Sequence, residues 1–308
     1  MVTALITHEE CLGHVTPPDH PEQVARLDAV LGALEDLDLV RVSAPYAADD
    51  DLLRVHPKSH VDAVRGSIPD SGWRSLDADT HVSPGSLAAA LRAAGACVKA
   101  VDMVMGGEVK NAFCAVRPPG HHAEREVPMG FCLFGSVSVA AKHALEHHGL
   151  ARVAIVDFDV HHGNGTQDLV EDDARILFAS THQMPLYPGT GHPHETGAHN
   201  NVFNVPLAGG SGSAAFRQAM EREVLPAVDR FAPEMLLISA GFDAHRADPL
   251  AGLMLETEDF AWVTERLCDL ADVHCGGRVV STLEGGYDLE ALGASAAAHV
   301  RVLEERGR

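Results

Sequence analysis

Residues 153–165 read Val-Ala-Ile-Val-Asp-Phe-Asp-Val-His-His-Gly-Asn-Gly, and this stretch decides how the rest of the chain is interpreted. Its apolar start predicts a buried strand, and the glycines at its end predict a turn. Side chains two residues apart on a strand point to the same face, so Asp157, Asp159 and His161 converge near the strand end. Carboxylates and an imidazole placed together are typical metal ligands. The stretch therefore predicts a metal site where a strand ends.

Short apolar segments alternate with amphipathic segments along the whole chain. Strands are predicted at residues 2–7, 112–117, 153–158, 176–181, 235–240 and 278–283. Helices are predicted at residues 21–36, 85–105, 135–148, 213–231 and 257–273. Such alternation predicts an α/β fold with a mostly parallel sheet that helices cover on both faces. Because no linker, repeat or composition shift interrupts the pattern, we expect a single domain over residues 1–308.

The chain is strongly acidic, with a formal net charge of −21 and 46% hydrophobic residues. An acidic surface repels nucleic acid and anionic membranes, so neither is expected as a partner. It would favour a cationic substrate. Adaptation of the host to salt would give the same charge, and the charge alone identifies no substrate.

The six cysteines are scattered and form no Cys-x-x-Cys pair. Several lie in apolar stretches, where a reduced thiol behaves as a small hydrophobic group. The first residues lack the basic and apolar regions of a signal peptide, and no apolar run approaches about twenty residues. We therefore expect a soluble cytoplasmic protein.

Polar side chains follow four of the predicted strands. They lie in residues 117–123 (Arg-Pro-Pro-Gly-His-His-Ala), 157–161, 241–244 (Gly-Phe-Asp-Ala) and 284–287 (Glu-Gly-Gly-Tyr). In parallel α/β sheets, binding sites collect beyond the carboxyl ends of the strands. The four segments are therefore expected to form one pocket.

Asp159, His161 and Asp243 would supply that pocket with two oxygens and one nitrogen. A set of three protein ligands leaves a coordination position open for water, as catalytic zinc sites do. Taken alone, an aspartate such as Asp243 could equally be a helix cap or turn residue. Together the three residues favour a metal-assisted hydrolysis.

The neighbouring residues could supply the acid and base groups of such a reaction. His121 and His122 offer two imidazoles, whose basicity Asp157 and Asn164 could set differently. A phenol at Tyr287 could donate a hydrogen bond to a developing oxyanion. Solvated histidines in a loop are the simpler explanation of the pair alone, but the joint occurrence after four strands favours an active site.

Six ordered strings give the chain a resemblance to a known family. They are residues 117–123, Gly-Phe-Cys at 130–132, residues 157–165, Tyr-Pro-Gly-Thr-Gly at 187–191, Ser-Ala-Gly-Phe-Asp-Ala at 239–244 and Leu-Glu-Gly-Gly-Tyr at 283–287. In these strings the chain resembles the histone deacetylase superfamily. Asn164 and the Leu-Glu-Gly-Gly-Tyr string resemble its class II branch and the bacterial and archaeal histone deacetylase-like amidohydrolases.

The resemblance implies an arginase/deacetylase fold with a central eight-stranded, mostly parallel sheet and helices on both faces. It also implies residue roles, transferred position by position. The catalytic positions are His121, His122, Tyr287, Asp157 and Asn164, and the metal ligands are Asp159, His161 and Asp243. The substrate-binding positions are Gly130, Phe131, Tyr187, Leu250 and Asp79, and a structural potassium site matches Asp157, Asp159, His161 and Ser180.

Two of the transferred positions have an alternative explanation. Asp79 matches a rim aspartate that holds a peptide backbone, but it could be a turn residue in Asp-Ala-Asp-Thr. Arg26 matches a residue beside a channel for acetate release, but a surface ion pair would be simpler.

The resemblance implies removal of an acetyl or other acyl group from the ε-amino group of acyl-lysine in a peptide or protein, with Zn²⁺ as cofactor and Fe²⁺ as an alternative. A small acetylated amine such as an acetylpolyamine is the second expected substrate, although Leu250 stands where polyamine-selective relatives have a carboxylate. A non-catalytic acyl-lysine-binding protein and a two-manganese arginase-type enzyme are further alternatives. The bacterial relatives also suggest a homo-oligomer.

Overall fold

The computed structural model describes residues 2–308 and contains one eight-stranded sheet. The strands are β1 (Thr3–Thr7), β2 (Leu39–Ser43), β3 (Arg74–Ser75), β4 (His81–Val82), β5 (Asn111–Cys114), β6 (Val153–Asp157), β7 (Ile176–Gln183), β8 (Val202–Leu207), β9 (Met235–Ala240) and β10 (Val279–Leu283). The sheet has the order β2-β1-β5-β10-β9-β6-β7-β8, and every neighbouring pair in it is parallel. Strands β3 and β4 form a separate antiparallel pair.

Helices cover the sheet in two layers. They are α1 (Ala25–Ala33), α2 (Asp49–Leu52), α3 (Lys58–Ser67), α4 (Ser86–Met105), α5 (Ser136–Glu146), α6 (Asn164–Val170), α7 (Ser213–Ala219), α8 (Leu225–Phe231), α9 (Thr257–Cys275) and α10 (Leu289–Gly307). In one layer α4 packs on β1, β5 and β10, and α5 packs on β6 and β9. In the other layer α1, α10, α9 and α8 lie side by side, with α10, α9 and α8 against the sheet. The expected α/β fold with a parallel sheet is confirmed.

All six predicted strands are present, and they are the six inner strands of the sheet. The two that the sequence pattern did not predict, β2 and β8, are its edges. An edge strand is paired on one side only, so its sequence is less apolar and can tolerate proline. Arg41 and other exposed residues interrupt β2, and Pro206 lies within β8.

The predicted helices are also present, with two differences. The pattern at residues 21–36 becomes the shorter α1, because residues before Ala25 form a turn. The pattern at 213–231 becomes α7, a π-helical segment at Met220–Val224 and α8. Helices α2, α3, α6 and α10 were not predicted.

All six cysteines are buried free thiols in the structure. Within residues 2–308, every helix is too short or too polar to cross a membrane.

Two helical glycines make a matched test of the packing. Gly95 lies in α4 against the backbone of Pro45, and a Cβ there would overlap the Pro45 carbonyl oxygen. Gly32 lies exposed in α1 with open space around it. We expect Gly95→Ala to lower the free energy of unfolding by about 1–3 kcal/mol. Gly32→Ala should instead leave it unchanged or raise it by about 0.5–1 kcal/mol. Chemical denaturation would check both values, and an equally stable Gly95→Ala protein would contradict the packing described.

Candidate active site

The four polar segments come together because their strands are neighbours. Strands β5, β10, β9 and β6 lie side by side in the middle of the sheet and run in the same direction. The segments that follow them therefore leave the sheet at one edge, where parallel α/β sheets bind ligands.

Asp159, His161 and Asp243 form a buried group at this edge. Each offers one ligand atom within 4.8 Å of the others. His161 Nδ1 lies 3.1 Å from Asp159 Oδ1 and 3.2 Å from Asp243 Oδ2. Within residues 2–308, no lysine or arginine forms an ion pair with either carboxylate. Burial, followed by repulsion from Asp159, raises the pKa of Asp243 to about 7. Two buried carboxylates with no permanent cation between them fit a divalent metal, which would offset both charges.

Backbone amides orient these carboxylates. Gly285 N–H donates to Asp159 Oδ2 at 2.9 Å, and Val160 N–H donates to Asp243 Oδ1 at 2.8 Å. A Cβ at Gly285 would overlap Asp243, and one at Gly241 would overlap Asp159. Glycine at these positions therefore lets the backbone after β9 and β10 lie directly against the candidate metal ligands Asp159 and Asp243.

His121 and His122 lie next to this group, and each contacts a different partner. His121 Nδ1 lies 3.0 Å from Asp157 Oδ2, and His122 Nδ1 lies 2.7 Å from Asn164 Oδ1. Burial lowers the pKa of His121, but the carboxylates of Asp159 and Asp157 outweigh burial and hold this pKa well above its usual value.

The pKa of His122 is shifted in the opposite direction. Burial and the neighbouring imidazoles His121 and His161 hold it well below its usual value, and the neutral amide of Asn164 offsets little of this. A metal bound to Asp159 would weaken the attraction of that carboxylate for His121 but would leave Asp157 in place. The arrangement thus provides one protonated and one neutral imidazole side by side.

A cavity of about 250 Å³ leads to the histidines. Its lining includes every residue predicted to bind substrate, together with two histidines and Tyr287. These residues are Asp79, His122, Gly130, Phe131, His161, Tyr187, Leu250 and Tyr287, with Pro21 and Leu186. The Phe131 and Tyr287 rings meet edge to face at 5.8 Å, and the Tyr187 ring lies 5.2 Å from that of His122.

Phe131 adopts an unusual backbone conformation. Its φ is 68°, a region that costs a residue with a side chain on the order of 1 kcal/mol or more. Its N–H donates to Thr80 Oγ1 at 3.1 Å, which helps to hold it. The preceding Gly130 packs directly on the His122 ring, where a Cβ would overlap. This turn therefore places an aromatic wall beside His122.

Asp79 lies both in a turn and at the cavity. The side chain of Asp77 accepts hydrogen bonds from the N–H groups of Asp79 and Thr80, as the turn explanation requires. The Asp79 side chain is nonetheless part of the cavity lining. The turn is therefore present, and the binding of a peptide backbone by Asp79 stays a prediction.

Arg26 is fully buried, so the surface ion pair considered for it is wrong. Its guanidinium donates to the carbonyl oxygens of Gly286 and Glu284, each at 2.6 Å, and lies 4.8 Å from the centre of the Tyr287 ring. The buried carboxylate of Glu22 is shared between this guanidinium and that of Arg117, with Arg26 Nη1 at 2.9 Å and Arg117 Nε at 2.6 Å. Arg26 therefore fixes the loop that carries Tyr287.

Glu284 is a further residue of the site, one for which no role was predicted. This buried side chain accepts hydrogen bonds from the N–H groups of Gly120 at 2.7 Å and His121 at 3.1 Å, and from Ser239 Oγ at 3.2 Å. Burial raises its pKa to about 7. The sequence feature that could have indicated a role for this residue is a carboxylate directly after an apolar strand and before two glycines.

Ser180 lies beside Asp157 in the register of β7 and β6, as a shared potassium site would need. Its Oγ also lies 2.9 Å from His182 Nδ1. The potassium site stays a prediction.

Comparisons with known proteins agree on one family. The model of the histone deacetylase domain matches residues 20–303. Histone deacetylase 10, chloroplastic, of Oryza sativa is 42% identical over 90% of this chain and 68% of its own length. A histone deacetylase-like amidohydrolase of Pseudomonas aeruginosa is 41% identical over 89% and 73%. The crystal structure of the HDA15 HD domain superposes with a TM-score of 0.93 at 37% identity, covering 99% of this chain and 89% of that one.

Asn164→Asp tests the difference between the two histidines. A carboxylate next to His122 would stabilise its protonated form and raise its pKa. Since the base must be neutral, we expect the acidic limb of the kcat/KM profile to move to higher pH. Asn200→Asp, an exposed position, adds the same charge and should leave the profile unchanged. An unshifted limb in Asn164→Asp would show that His122 does not control it.

Asp243→Asn tests the metal ligands. The amide keeps the side-chain volume but removes a charge, so we expect the bound metal to fall by one equivalent per chain. Asp79→Asn, a cavity residue outside the group, should retain the full amount. Elemental analysis after dialysis would give both values. If Asp243→Asn binds as much metal as the unaltered protein, Asp243 is not a ligand.

Proposed function

Because the chain belongs to the histone deacetylase family, and is thus a deacetylase hydrolase, we propose that it removes acetyl groups from the ε-amino group of acyl-lysine with the help of Zn²⁺. The observation that carries this proposal is the pair of histidines with opposite pKa shifts beside a buried metal-type group. Amide hydrolysis needs a base for the attacking water and a proton for the leaving amine.

Asp159, His161 and Asp243 would hold the metal. When bound there, it would polarise the amide carbonyl and lower the pKa of a water molecule. One nitrogen and two carboxylates suit Zn²⁺, and they also suit Fe²⁺. A structural K⁺ at Asp157, Asp159, His161 and Ser180 is part of the same proposal.

The remaining steps belong to the side chains of the cavity. His122, which is neutral, accepts the proton of the attacking water and then delivers it to the nitrogen of the leaving amine. His121, held protonated by Asp157, stabilises the negative charge that develops. Tyr287 stays protonated, since burial and nearby carboxylates hold its pKa well above the usual value, and it donates a hydrogen bond to the oxyanion. The products are a free amine and acetate.

The cavity walls support acyl-lysine as the substrate. Phe131 and Tyr187 present aromatic surfaces that can pack on the aliphatic stem of a lysine side chain. Leu250 adds an apolar surface to the same lining. A lysine in a peptide or protein then places only its acylated side chain inside, and Asp79 can accept a hydrogen bond from the peptide backbone.

A small acetylated amine is the second candidate, and Asp79 favours it. This carboxylate lies in the cavity lining, where it would attract the distal ammonium of an acetylated diamine. The net charge of −21 would act in the same sense. Leu250 disfavours this candidate, because it offers no charge.

Six buried free thiols support a reducing, cytoplasmic setting, and an acidic surface supports partners other than nucleic acid or membranes. Self-association remains part of the proposal and calls for a direct measurement of mass in solution.

Turnover of two substrates separates the candidates. The zinc-loaded protein would be given an acetyl-lysine peptide and N-acetylputrescine, with metal-free protein as control. We expect a higher kcat/KM for the peptide. In Asp79→Asn, activity on the diamine should fall more than activity on the peptide if Asp79 binds an ammonium. Preference for the diamine would contradict the lysine assignment, and a metal-loaded protein inactive on both would contradict deacetylation of these amines.

Tyr287→Phe isolates the oxyanion hydrogen bond. The variant removes one oxygen and keeps the ring, which packs on Phe131 and Arg26. We expect kcat to fall by about 100- to 1,000-fold, the usual effect of losing one oxyanion donor. Bound metal and melting temperature should be unchanged. Turnover equal to that of the unaltered protein would exclude Tyr287 from the mechanism.

A further inference from the structure

A second group of metal-type side chains lies far from the active site in the fold. Within residues 2–308, only two groups place three or more such ligand atoms within 4.8 Å of one another. One is Asp159, His161 and Asp243, and the other is Asp102, His143, His147 and His148. The second lies near the carboxyl ends of α4 and α5. In a parallel α/β fold these helix ends lie at the opposite edge of the sheet from the active site.

The imidazoles of this group converge on one carboxylate. His143 Nε2 lies 2.7 Å and His148 Nε2 lies 2.8 Å from the same oxygen, Asp102 Oδ1. The His147 ring stacks on that of His143 at 4.8 Å and meets that of His148 at 4.9 Å. His143 and His147 are four residues apart, a spacing that puts two histidines on one helix face for metal binding.

The other nitrogen of His143 also indicates a metal. The residue is buried, and its Nδ1 has no hydrogen-bond partner among residues 2–308, although it lies 3.8 Å from Asp51 Oδ1. If a neutral His143 donates from Nε2 to Asp102, the lone pair of Nδ1 faces a second carboxylate. If Nε2 instead binds a metal, Nδ1 carries the hydrogen and faces an acceptor. Metal-bound histidines usually have such a carboxylate behind them.

The rival arrangement is a protonated His143 between Asp102 and Asp51, with no metal. It would satisfy both nitrogens of that ring, but it gives no reason for two further imidazoles at the same place. Nor is the nearby arginine available to neutralise the group, because Arg54 forms its ion pairs with Glu146 and Asp51.

We infer that Asp102, His143, His147 and His148 form a second metal site, which binds a divalent transition metal such as Zn²⁺ and links α4 to α5. Three imidazoles and one carboxylate suit zinc, copper or nickel, whereas Mg²⁺ and Ca²⁺ prefer oxygen ligands. Four protein ligands fill a tetrahedral shell, as in structural zinc sites. The site is therefore structural and takes no part in turnover.

The test counts metal in matched variants of the full chain. The metal-free protein would be dialysed against micromolar Zn²⁺, and bound zinc would be measured by elemental analysis. We expect His147→Ala/His148→Ala to bind one equivalent less than the unaltered protein. His192→Ala/His194→Ala removes two exposed histidines elsewhere, whose rings stack on each other, and should bind as much zinc as the unaltered protein.

Turnover and melting temperature distinguish metal lost from this second site from metal lost from the active site. His147→Ala/His148→Ala should retain full turnover and its metal-free melting temperature, since neither residue is buried. In the unaltered protein the second equivalent of zinc should raise the melting temperature, and this rise should be absent from the variant. Equal zinc content in the variant and the unaltered protein overturns the inference, whether or not the protein is a deacetylase. A loss of the same size in the His192/His194 variant would overturn it as well, because surface histidines in general would then be responsible.

Discussion

The site depends on one electrostatic constraint, the burial of Asp159 and Asp243 side by side, where residues 2–308 place no lysine or arginine between them. Two such carboxylates repel each other and are poorly solvated, so the pKa of Asp243 is raised to about 7. Backbone N–H groups nevertheless hold both carboxylates in place. Gly241 and Gly285 make this possible, because a Cβ at either position would overlap a carboxylate. A divalent cation bound by both carboxylates would offset their charges.

Neighbouring groups also determine how the two histidines differ. His121 faces Asp157 and Asp159, whereas His122 faces an amide and two other imidazoles. A sequence containing His-His cannot by itself assign a proton to one ring. The assignment comes from which element supplies each partner, since Asp157 ends β6 and Asn164 begins α6. Glu284, directly after β10, then holds the backbone of the pair that follows β5, so three strands of the sheet position one acid–base unit.

Much of this could be predicted from the sequence, for physical reasons. Inner parallel strands are buried on both faces and give continuous apolar runs, which is why β6, β9 and β10 were predicted. The edge strands β2 and β8 carry Arg41 and Pro206 and gave no such signal. Arg26 shows a second limit, since an arginine is usually exposed and only the tertiary contacts with Glu22 and the Gly286 carbonyl bury it. Asp102 is distant in sequence from His143, His147 and His148, and it meets them only because α4 packs on α5.

We expect the buried group of Asp159, His161 and Asp243 to bind a single catalytic metal. Titration of metal-free protein with Zn²⁺, monitored by the hydrolysis of an acetyl-lysine peptide, would measure this. The His147→Ala/His148→Ala variant is the appropriate protein, because the buried group is then the only complete one of the two. Activity should be absent without metal, rise in proportion to added zinc and reach its maximum at one equivalent. Full turnover without metal, or a maximum that requires two equivalents, would show that the buried group does not bind a single catalytic metal.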